Sequence, residues 1–276
     1  MSFGDIYPGK VAIVVPVYKP FELCSEMEIK SLKRVTEVLN GRPILFIHGV
    51  QFNPKAYLDF MAPLEIKCIA FQKKYFNGHS SYNRLCLSKV LYDSFLDFDY
   101  ILIHQLDAFV FKDDLDYWCN QGYDYIGAPW FKGTNQPSFP LEFNGSGNGG
   151  FSLRKVQSFR KIASKRYFVQ FHKLAHYINN RYNPKKYPLL QNNILANTAI
   201  KYIRNFVGWE DEFYGRVVPK IFPWFKVAQP QTAMKFSFEV MPDELFKMNN
   251  NQLPFGCHAW ETYNRSFWIK FIEAYS

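Results

Sequence analysis

The chain has 276 residues, of which 48% are hydrophobic and 21% charged, a balance that excludes disordered and collagen-like proteins. No apolar run approaches the ~18 to 20 residues of a membrane-spanning helix, and the first residues do not have the pattern of a signal peptide. The net charge of +9 and the sequence pI near 9.1 favour an anionic partner, such as nucleotide phosphates, nucleic acid or an acidic membrane surface.

Cysteine usage indicates the redox compartment. The five cysteines are odd in number and lack CxxC spacing, a pattern typical of reduced thiols in a cytosolic protein. We therefore expect a cytoplasmic protein without a zinc cluster.

The first half of the chain alternates strand and helix patterns. Continuous apolar runs predict strands buried on both faces, and helical spacing with Gly or Pro stops predicts the helices between them. The predicted order is a strand over 11–17, a helix over 24–39, a strand over 43–49, a short helix after 54, a strand over 66–71, a helix over 81–96 and a strand over 99–111. This alternation predicts an α/β fold with a mainly parallel sheet, whose ligands bind beyond the carboxyl ends of the strands.

The second half is less regular. Residues 123–131 predict one more strand with a break, residues 143–159 a glycine-rich loop entering a helix, and residues 153–182 a helix. Because no linker separates the halves, we expect one domain over 1–276, with the second half building the acceptor side of a cleft.

The first candidate site lies at the end of the strand predicted over 99–111. Gln105 and Asp107 are two residues apart, and residues i and i+2 of a strand share a face. Their amide and carboxylate oxygens should therefore point together and suit Mg²⁺ or Mn²⁺. The alternative is that Asp107 caps a helix or pairs with a lysine.

The glycine-rich run from Asn144 to Gly150 is a second candidate. Its four glycines let the backbone approach a ligand closely. It is neither a P-loop nor a dinucleotide fingerprint, because no GK[ST] follows it and it does not follow the first strand. A plain turn before a helix is the alternative.

Two further motifs carry titratable groups. The carboxylates at 210–212 follow Trp209, and together they suit a general base beside an aromatic sugar platform. A solvated helix start would explain the same residues. His258 is an isolated histidine, more often a core or surface residue than a ligand.

A basic run extends from Arg154 to Lys186. Its apolar positions have helical spacing, so a solvated helix with a core-facing stripe is the simplest interpretation. The functional alternative is a peripheral contact with anionic lipid headgroups. Nucleic acid fits less well because no known binding module is present.

Taken together, these motifs resemble a GT-A glycosyltransferase. VPVYK at 15–19 resembles the VPVYN strand end of these enzymes, and HQLDAFVF at 104–111 resembles their metal-binding DxD strand, with Gln105 in place of the first Asp. GNGGFSLR at 147–154 resembles their GGF-type loop, and WEDEFYG at 209–215 resembles their ED motif. The combination spans about residues 11–270. It most closely resembles a bacterial, GT-A-like family catalogued as a domain of unknown function.

The resemblance implies a GT-A-like mixed, mainly parallel sheet flanked by helices. About residues 11–130 would bind the nucleotide sugar, and about 131–276 the acceptor. The protein would be a hexosyltransferase-type enzyme that transfers a sugar to a saccharide or glycolipid hydroxyl, in bacterial surface polysaccharide synthesis such as lipopolysaccharide or capsule. It would act in the cytoplasm, with peripheral contact at the inner face of the plasma membrane and no nucleic-acid partner.

The resemblance also implies a role for each site residue. Asp107 and His258 would ligate Mn²⁺ or Mg²⁺, and Asp211 would be the general base of an inverting reaction, with Glu210 as second candidate. Nucleotide contacts would come from Pro16, Val17, Tyr18, Asn83, Gln105 and Asp107, and substrate contacts from Gly149, Gly150, Trp209 and Trp260. Because Gln105 replaces a carboxylate, we expect weak metal affinity without nucleotide, or no metal dependence at all.

Two other functions fit the same residues. A metal-dependent hydrolase of nucleotide sugars or phosphoesters would use the same scaffold. A non-catalytic, nucleotide-binding module would explain the amide at position 105.

Overall fold

The structure is a computed structural model that describes residues 11–165, 167–169, 200–202 and 208–275. The described strands are β1 (Val11–Pro16), β2 (Ile44–Gly49), β3 (Lys67–Phe71), β4 (Tyr100–His104), β5 (Ala108–Val110), β6 (Tyr125–Ile126), β7 (Pro129–Phe131), β8 (Phe143–Ser146), β9 (Phe151–Lys155), β10 (Tyr167–Val169), β11 (Ile200–Tyr202), β12 (Ser237–Phe238) and β13 (Gly256–His258). The described helices are α1 (Glu26–Val38), α2 (Lys55–Met61), α3 (His79–Cys86), α4 (Lys89–Asp93), α5 (Leu115–Asn120), α6 (Val156–Ala163), α7 (Glu210–Glu212), α8 (Val218–Ile221), α9 (Pro230–Phe236), α10 (Pro242–Met248) and α11 (Arg265–Ile272). A π-helical turn over Phe213–Val217 joins α7 to α8.

A six-stranded sheet forms the centre of the molecule, in the order β3-β2-β1-β4-β9-β6. β1 pairs in parallel with β2 and β4, and β2 pairs in parallel with β3. β9 runs antiparallel to β4 and β6. The prediction of an α/β fold with a mixed, mainly parallel sheet is therefore confirmed.

Both faces of the central sheet are buried. Ile13 and Val15 of β1 pack in one core layer with Leu32 of α1. Val14 packs in the opposite layer with Phe159 of α6. Two-sided burial explains why β1 is a continuous apolar run rather than an alternating one.

Helix α1 begins where the sequence supplies a cap. The backbone N–H of Glu28 donates to Ser25 Oγ (3.2 Å), and the N–H of Ser25 donates to Glu28 Oε2 (2.8 Å). This capping box satisfies two backbone donors at once. The helix predicted over 24–39 is present, with its first residue at Glu26.

Three predicted elements differ in the structure. The helix predicted over 81–96 is two helices, α3 and α4, because the carbonyl of Cys86 accepts from the Tyr92 hydroxyl (2.7 Å) and the chain turns at Leu87. The strand predicted over 99–111 is β4 and β5, separated by a turn. The helix predicted from 153 begins at Val156, because 151–155 form β9, whose buried Arg154 interrupts the apolar strand pattern.

Of the helix predicted over 153–182, only α6 is present among the described residues, and its Val156, Phe159 and Ile162 form the predicted core-facing stripe. The prediction is wrong over Tyr167–Val169, which form a strand, β10, paired with β11. Most of the remaining prediction lies outside the described residues. All five cysteines are free. Within the described ranges, no helix is both long and apolar enough to cross a bilayer.

Candidate active site

A cavity of about 420 Å³ opens beyond the carboxyl end of β4. Its walls include both carboxylates that the sequence singles out, Asp107 and Asp211. Ligands of open α/β sheets bind in this position. The walls also contain most of the other predicted site residues, namely Asn83, Gln105, Gly149, Gly150, Trp209, Glu210 and His258.

Gln105 and Asp107 lie on a tight turn rather than on a strand. The N–H of Ala108 donates to the carbonyl of Gln105 (3.0 Å), which closes the turn between β4 and β5. The prediction that these residues share a strand face is therefore wrong in its geometry. Both side chains nevertheless reach the cavity, because the turn projects beyond the sheet edge.

His258 is brought to Asp107 by strand pairing. β13 runs antiparallel to β5, with His258 opposite Ala108, and the N–H of Ala259 donates to the carbonyl of Asp107 (3.0 Å). The ring atom Nε2 lies 3.3 Å from Asp107 Oδ1 and 3.3 Å from Gln105 Oε1. These three side chains form one polar corner of the cavity, which we call the Asp107–His258 corner.

Glu239, which lies in no recognisable motif, fixes the His258 ring. Its Oε1 lies 2.9 Å from His258 Nδ1. Burial alone would lower the pKa of His258, but the carboxylates of Asp107 and Glu239 outweigh it and raise that pKa to about 10. In turn, the charge of His258 outweighs the effect of burial on Asp107 and holds its pKa below the usual value.

Gly150 leaves the room that His258 occupies. A Cβ at this position would overlap the imidazole Nε2. The carbonyl of Gly150 also accepts from the N–H of Gln105 (2.8 Å). The glycine-rich segment thus shapes the Asp107–His258 corner by the absence of a side chain.

Glu210, an acidic residue on another wall of the cavity, forms a buried ion pair with Arg154. Arg154 Nη2 donates to Glu210 Oε1 (2.8 Å), and Nη1 donates to Oε2 (3.1 Å). The two side chains are 0% and 5% exposed. The prediction of Glu210 as a second candidate base is therefore wrong, because both carboxylate oxygens are held by a buried guanidinium.

Asn83 holds the backbone that carries these acids. Its Nδ2 donates to the carbonyl of Gly208 (2.9 Å), and its Oδ1 accepts from the N–H of Glu210. Asn83 lines the cavity as predicted, and it also anchors the start of α7. The sequence contained no signal for this second role, since the two segments are far apart in the chain.

Among the described residues, Asp211 has no cationic partner comparable to Arg154. It is half-buried, and its Oδ1 accepts from the N–H of Glu212 (2.8 Å). Burial, followed by the charges of Glu210 and Glu239, raises the pKa of Asp211 to about 7. A carboxyl group with this pKa exchanges protons readily near neutral pH.

Aromatic and basic side chains complete the cavity. Trp209 is 62% exposed at the cavity wall. Trp130 lies beneath the guanidinium of Arg216, 4.7 Å from its ring centroid. Neither Trp130 nor Arg216 was predicted, because Trp130 lies in a segment assigned only as a strand and Arg216 follows the WEDEFYG run by one residue.

Three predicted contacts lie away from the cavity. Trp260 is fully buried in a core with Phe238 and Trp268, so the prediction of a substrate contact is wrong. Pro16 and Val17 are buried beneath the sheet edge, so their side chains cannot contact a nucleoside.

Tyr18, which follows them, is 54% exposed. Burial of its remaining surface, and then the nearby charge of Asp107, raise the pKa of Tyr18 to about 12. It is the one residue of the predicted nucleoside-binding strand end whose side chain is placed to meet a ligand.

Several of the solved structures that are similar to this chain are glycosyltransferases. The galactosyltransferase LgtC, in complex with donor and acceptor sugar analogues, has a TM-score of 0.51 at 12% identity, covering 95% of this chain and 95% of that chain. A glycosyltransferase involved in the glycosylation of the major capsid of PBCV-1 has a TM-score of 0.46 at 12% identity, covering 96% of this chain and 100% of that chain. Mouse xyloside xylosyltransferase 1 has a TM-score of 0.48 at 10% identity, covering 91% of this chain and 97% of that chain. The LgtC likeness shows the GT-A fold. No curated protein matches the sequence.

A family model described as "Protein of unknown function (DUF5672)" matches residues 65–258. This range is most of the chain and includes Asp107, Asp211 and His258. The protein therefore belongs to the DUF5672 family, and its fold is that of the GT-A glycosyltransferases.

Proposed function

We propose that the protein is a GT-A glycosyltransferase that moves a hexosyl group from a nucleotide sugar to a hydroxyl of a saccharide or glycolipid acceptor, assisted by Mn²⁺ or Mg²⁺, in surface polysaccharide synthesis. One observation carries the proposal. A single cavity of this fold contains the Asp107–His258 corner, which suits a cation, and a separate carboxyl group, Asp211, with a pKa of about 7.

The Asp107–His258 corner has the donor chemistry of a divalent-cation site once His258 loses its Nε2 proton, because only a neutral imidazole binds a metal. Ligands that share an octahedral cation lie ~3 Å apart, and His258 Nε2 is 3.3 Å from the Asp107 and Gln105 oxygens. A metal-binding histidine is usually oriented by a carboxylate on its other nitrogen, which is the position of Glu239.

The protein would supply only part of the coordination shell. Among the residues that the structure describes, no three His, Cys, Asp or Glu side chains form a metal-binding group. Asp107 and His258 would therefore need help from the Gln105 amide, water and the oxygens of the diphosphate. Mg²⁺ commonly binds in this way, with a few protein ligands and the substrate phosphates.

The net negative charge of the cavity lining also supports a bound cation. Asp107, Asp211 and Glu239 line the cavity, while the lining Arg216 donates to Glu212 (3.3 Å). Even with His258 protonated, a diphosphate entering this cavity would meet more negative than positive charge on the described residues. When bound, the cation would offset this repulsion and stabilise the leaving diphosphate.

Asp211 would act on the acceptor. Its carboxylate would accept the proton of the acceptor hydroxyl while that oxygen bonds to the anomeric carbon. The bond from the anomeric carbon to the diphosphate would break, and the nucleoside diphosphate would leave with that electron pair. Direct displacement inverts the anomeric centre. Trp209, exposed at the cavity wall, would provide an apolar surface for a sugar ring.

Thermal unfolding in the presence of nucleotide sugars tests the proposal. A ligand that binds the folded state raises the melting temperature, so one nucleotide sugar should stabilise the protein strongly with Mn²⁺ and weakly without it. Asp107→Asn should remove the Mn²⁺-dependent part. Asp113→Asn is a matched control, because that carboxylate pairs with Arg42 on the surface.

The donor found in this way should then be tested with saccharide acceptors. Formation of a glycosidic product that depends on the acceptor supports a transferase. Release of free sugar at the full rate without acceptor would instead identify a hydrolase. Failure of every nucleotide sugar to stabilise the protein would contradict the proposal.

A further inference from the structure

Positive charge is concentrated in one part of the sequence. Residues 143–238 contain 16 of the 33 Lys and Arg residues but 3 of the 24 Asp and Glu residues. The other residues contain 17 basic and 21 acidic side chains, so the net charge of +9 originates in this one segment. Its three acids are the run at 210–212, all of which line the cavity. Arg154 holds Glu210 in a buried ion pair, which leaves only the Asp211 and Glu212 carboxylates, both at the cavity, for the other basic side chains of the segment.

Part of this charge lies on a described surface that also carries aromatic rings. Lys161 of α6 lies with its Nζ 4.3 Å from the ring centroid of Trp224. Lys165 lies with its Nζ 5.1 Å from the ring centroid of Phe222. These contacts join the end of α6 to the segment after α8. We call the surface the basic–aromatic patch; its members are Lys161, Lys165, Lys220, Phe222, Trp224 and Lys226.

Most charged side chains of the basic–aromatic patch are exposed, and the residues beneath them belong to the hydrophobic core. Lys161, Lys220 and Lys226 are exposed, and Trp224 is 39% exposed. The residues beneath them are buried in the core layer that covers one face of the central sheet, as Phe225 illustrates. The relative positions of the charges and the indole are therefore set by core packing.

We propose that the basic–aromatic patch docks on an anionic lipid bilayer. Lysines beside a membrane are attracted by its anionic headgroups, and Trp is enriched at the level of the headgroups, where its ring is partly apolar and partly hydrated. An exposed indole held directly beneath an ammonium group presents both features at one point. This inference does not depend on the proposed transfer reaction.

A nucleic acid is the less favoured partner. Proteins that bind single strands stack successive bases on exposed rings along a basic groove. In the patch, each of the two rings is instead covered by a lysine ammonium group. RNA binding is therefore an outcome of the test and not part of the proposal.

Co-sedimentation of the full-length protein with vesicles tests docking. We expect binding to vesicles of phosphatidylcholine with phosphatidylglycerol, weak binding to phosphatidylcholine alone, and a decrease as salt is added. Each lysine near such a surface contributes about fivefold to the binding constant. Lys161→Gln with Lys220→Gln should therefore weaken binding by about twentyfold or more.

The matched control is Lys33→Gln. Lys33 is exposed and also lies over an aromatic ring, with its Nζ 5.6 Å from the centroid of Phe60. It belongs to α1, which covers the opposite face of the central sheet. This variant should bind the anionic vesicles as the unmodified protein does.

Trp224→Ala separates the aromatic contribution from the charge. It should weaken vesicle binding severalfold even at high salt, where the lysine contribution is screened. Equal binding to neutral and anionic vesicles would overturn the proposal, as would equal losses in the patch and control variants. Tight, patch-dependent binding of single-stranded RNA without vesicle binding would also overturn it.

Discussion

The two acidic walls of the cavity are built in opposite ways. In the Asp107–His258 corner, the carboxylate of Asp107 is 39% exposed and faces an imidazole that a second carboxylate orients. On the other wall, Glu210 is closed off by Arg154, and both side chains are almost completely buried. The first arrangement leaves oxygen atoms available to a ligand. The second uses a carboxylate to hold the wall in place.

On the second wall, the neighbouring residues Glu210 and Asp211 have different roles. Successive residues of a helix point about 100° apart, so Glu210 can face the core while Asp211 faces the cavity. Arg154 neutralises Glu210 and donates to the carbonyl of Gly149 (3.4 Å). The buried pair thus connects the glycine-rich segment to the start of α7. Asp211 is left with the raised pKa that suits proton transfer.

The largest expected effect comes from Asp211→Asn. If Asp211 accepts the proton of the acceptor, this change should lower the transfer rate by about 10² to 10⁴-fold. Binding of the nucleotide sugar should persist, because the donor and the Asp107–His258 corner are unchanged. Steady-state kinetics measures the first quantity and calorimetry the second.

Glu212→Gln provides the control for Asp211→Asn. Glu212 also lines the cavity and is the next residue in the chain, but its carboxylate is occupied by Arg216. We expect a rate within a few-fold of the unmodified enzyme. A rate equally low in both variants would show that the acidic run acts through its total charge and that Asp211 is not the base.

Next in size is the loss of stability on breaking the buried pair. Arg154→Met leaves the Glu210 carboxylate buried without a cation, and a change of this kind costs about 3–5 kcal/mol. Urea unfolding should report this loss. The double variant with Glu210→Leu should recover most of the stability, because it removes the uncompensated charge. No recovery would show that the other hydrogen bonds of Arg154 are what stabilise the wall.

The fold was largely predictable from sequence because the central strands are buried on both faces. Runs such as 11–17 are recognisable without knowledge of their neighbours, and the polar residues beyond them indicated the sheet edge that carries the cavity. β9 was missed because Arg154 and Ser152 are polar, although both are buried. Arg154 is neutralised there by Glu210, which lies far away in the chain.

The site was predictable only where a motif concentrated the chemistry. Asp107 and Asp211 lie in recognisable runs and line one cavity. Glu239 and Trp130 are single residues that the fold brings to the cavity. Trp260 illustrates the opposite error, since its position beside His258 suggested a ligand contact while its ring packs in the core.

The pH dependence should be smaller but diagnostic. The pKa of Asp211 is raised to about 7 by burial and then by neighbouring carboxylates. Its carboxylate form is needed to accept a proton, so kcat/KM should fall about tenfold per unit below that pKa and level off above it.

The raised pKa of Asp211 also affects the stability of the fold, which it lowers at high pH. Folded Asp211 keeps its proton to a higher pH than the unfolded chain does, so its contribution to stability decreases as pH rises from about 4 to 7. Asp211→Asn should therefore unfold at a higher temperature than the unmodified protein at pH 8. An unchanged melting temperature at that pH would contradict the raised pKa.

The smallest expected effect belongs to the exposed ring at the cavity wall. Contacts between aromatic rings contribute about 0.5–1.5 kcal/mol. If a sugar packed on the ring gains a similar amount, Trp209→Ala should raise the KM for the acceptor about threefold to tenfold. The KM for the donor and the melting temperature should not change, because the Trp209 side chain is 62% exposed. Trp224→Ala, which removes an exposed indole outside the cavity, is the matched control for acceptor binding.

If Trp209→Ala instead raised the KM for the donor, the two substrates would occupy the cavity in the reverse order. That order would place the donor, and not the acceptor, at the wall that carries Asp211, which would count against Asp211 as the base for the acceptor.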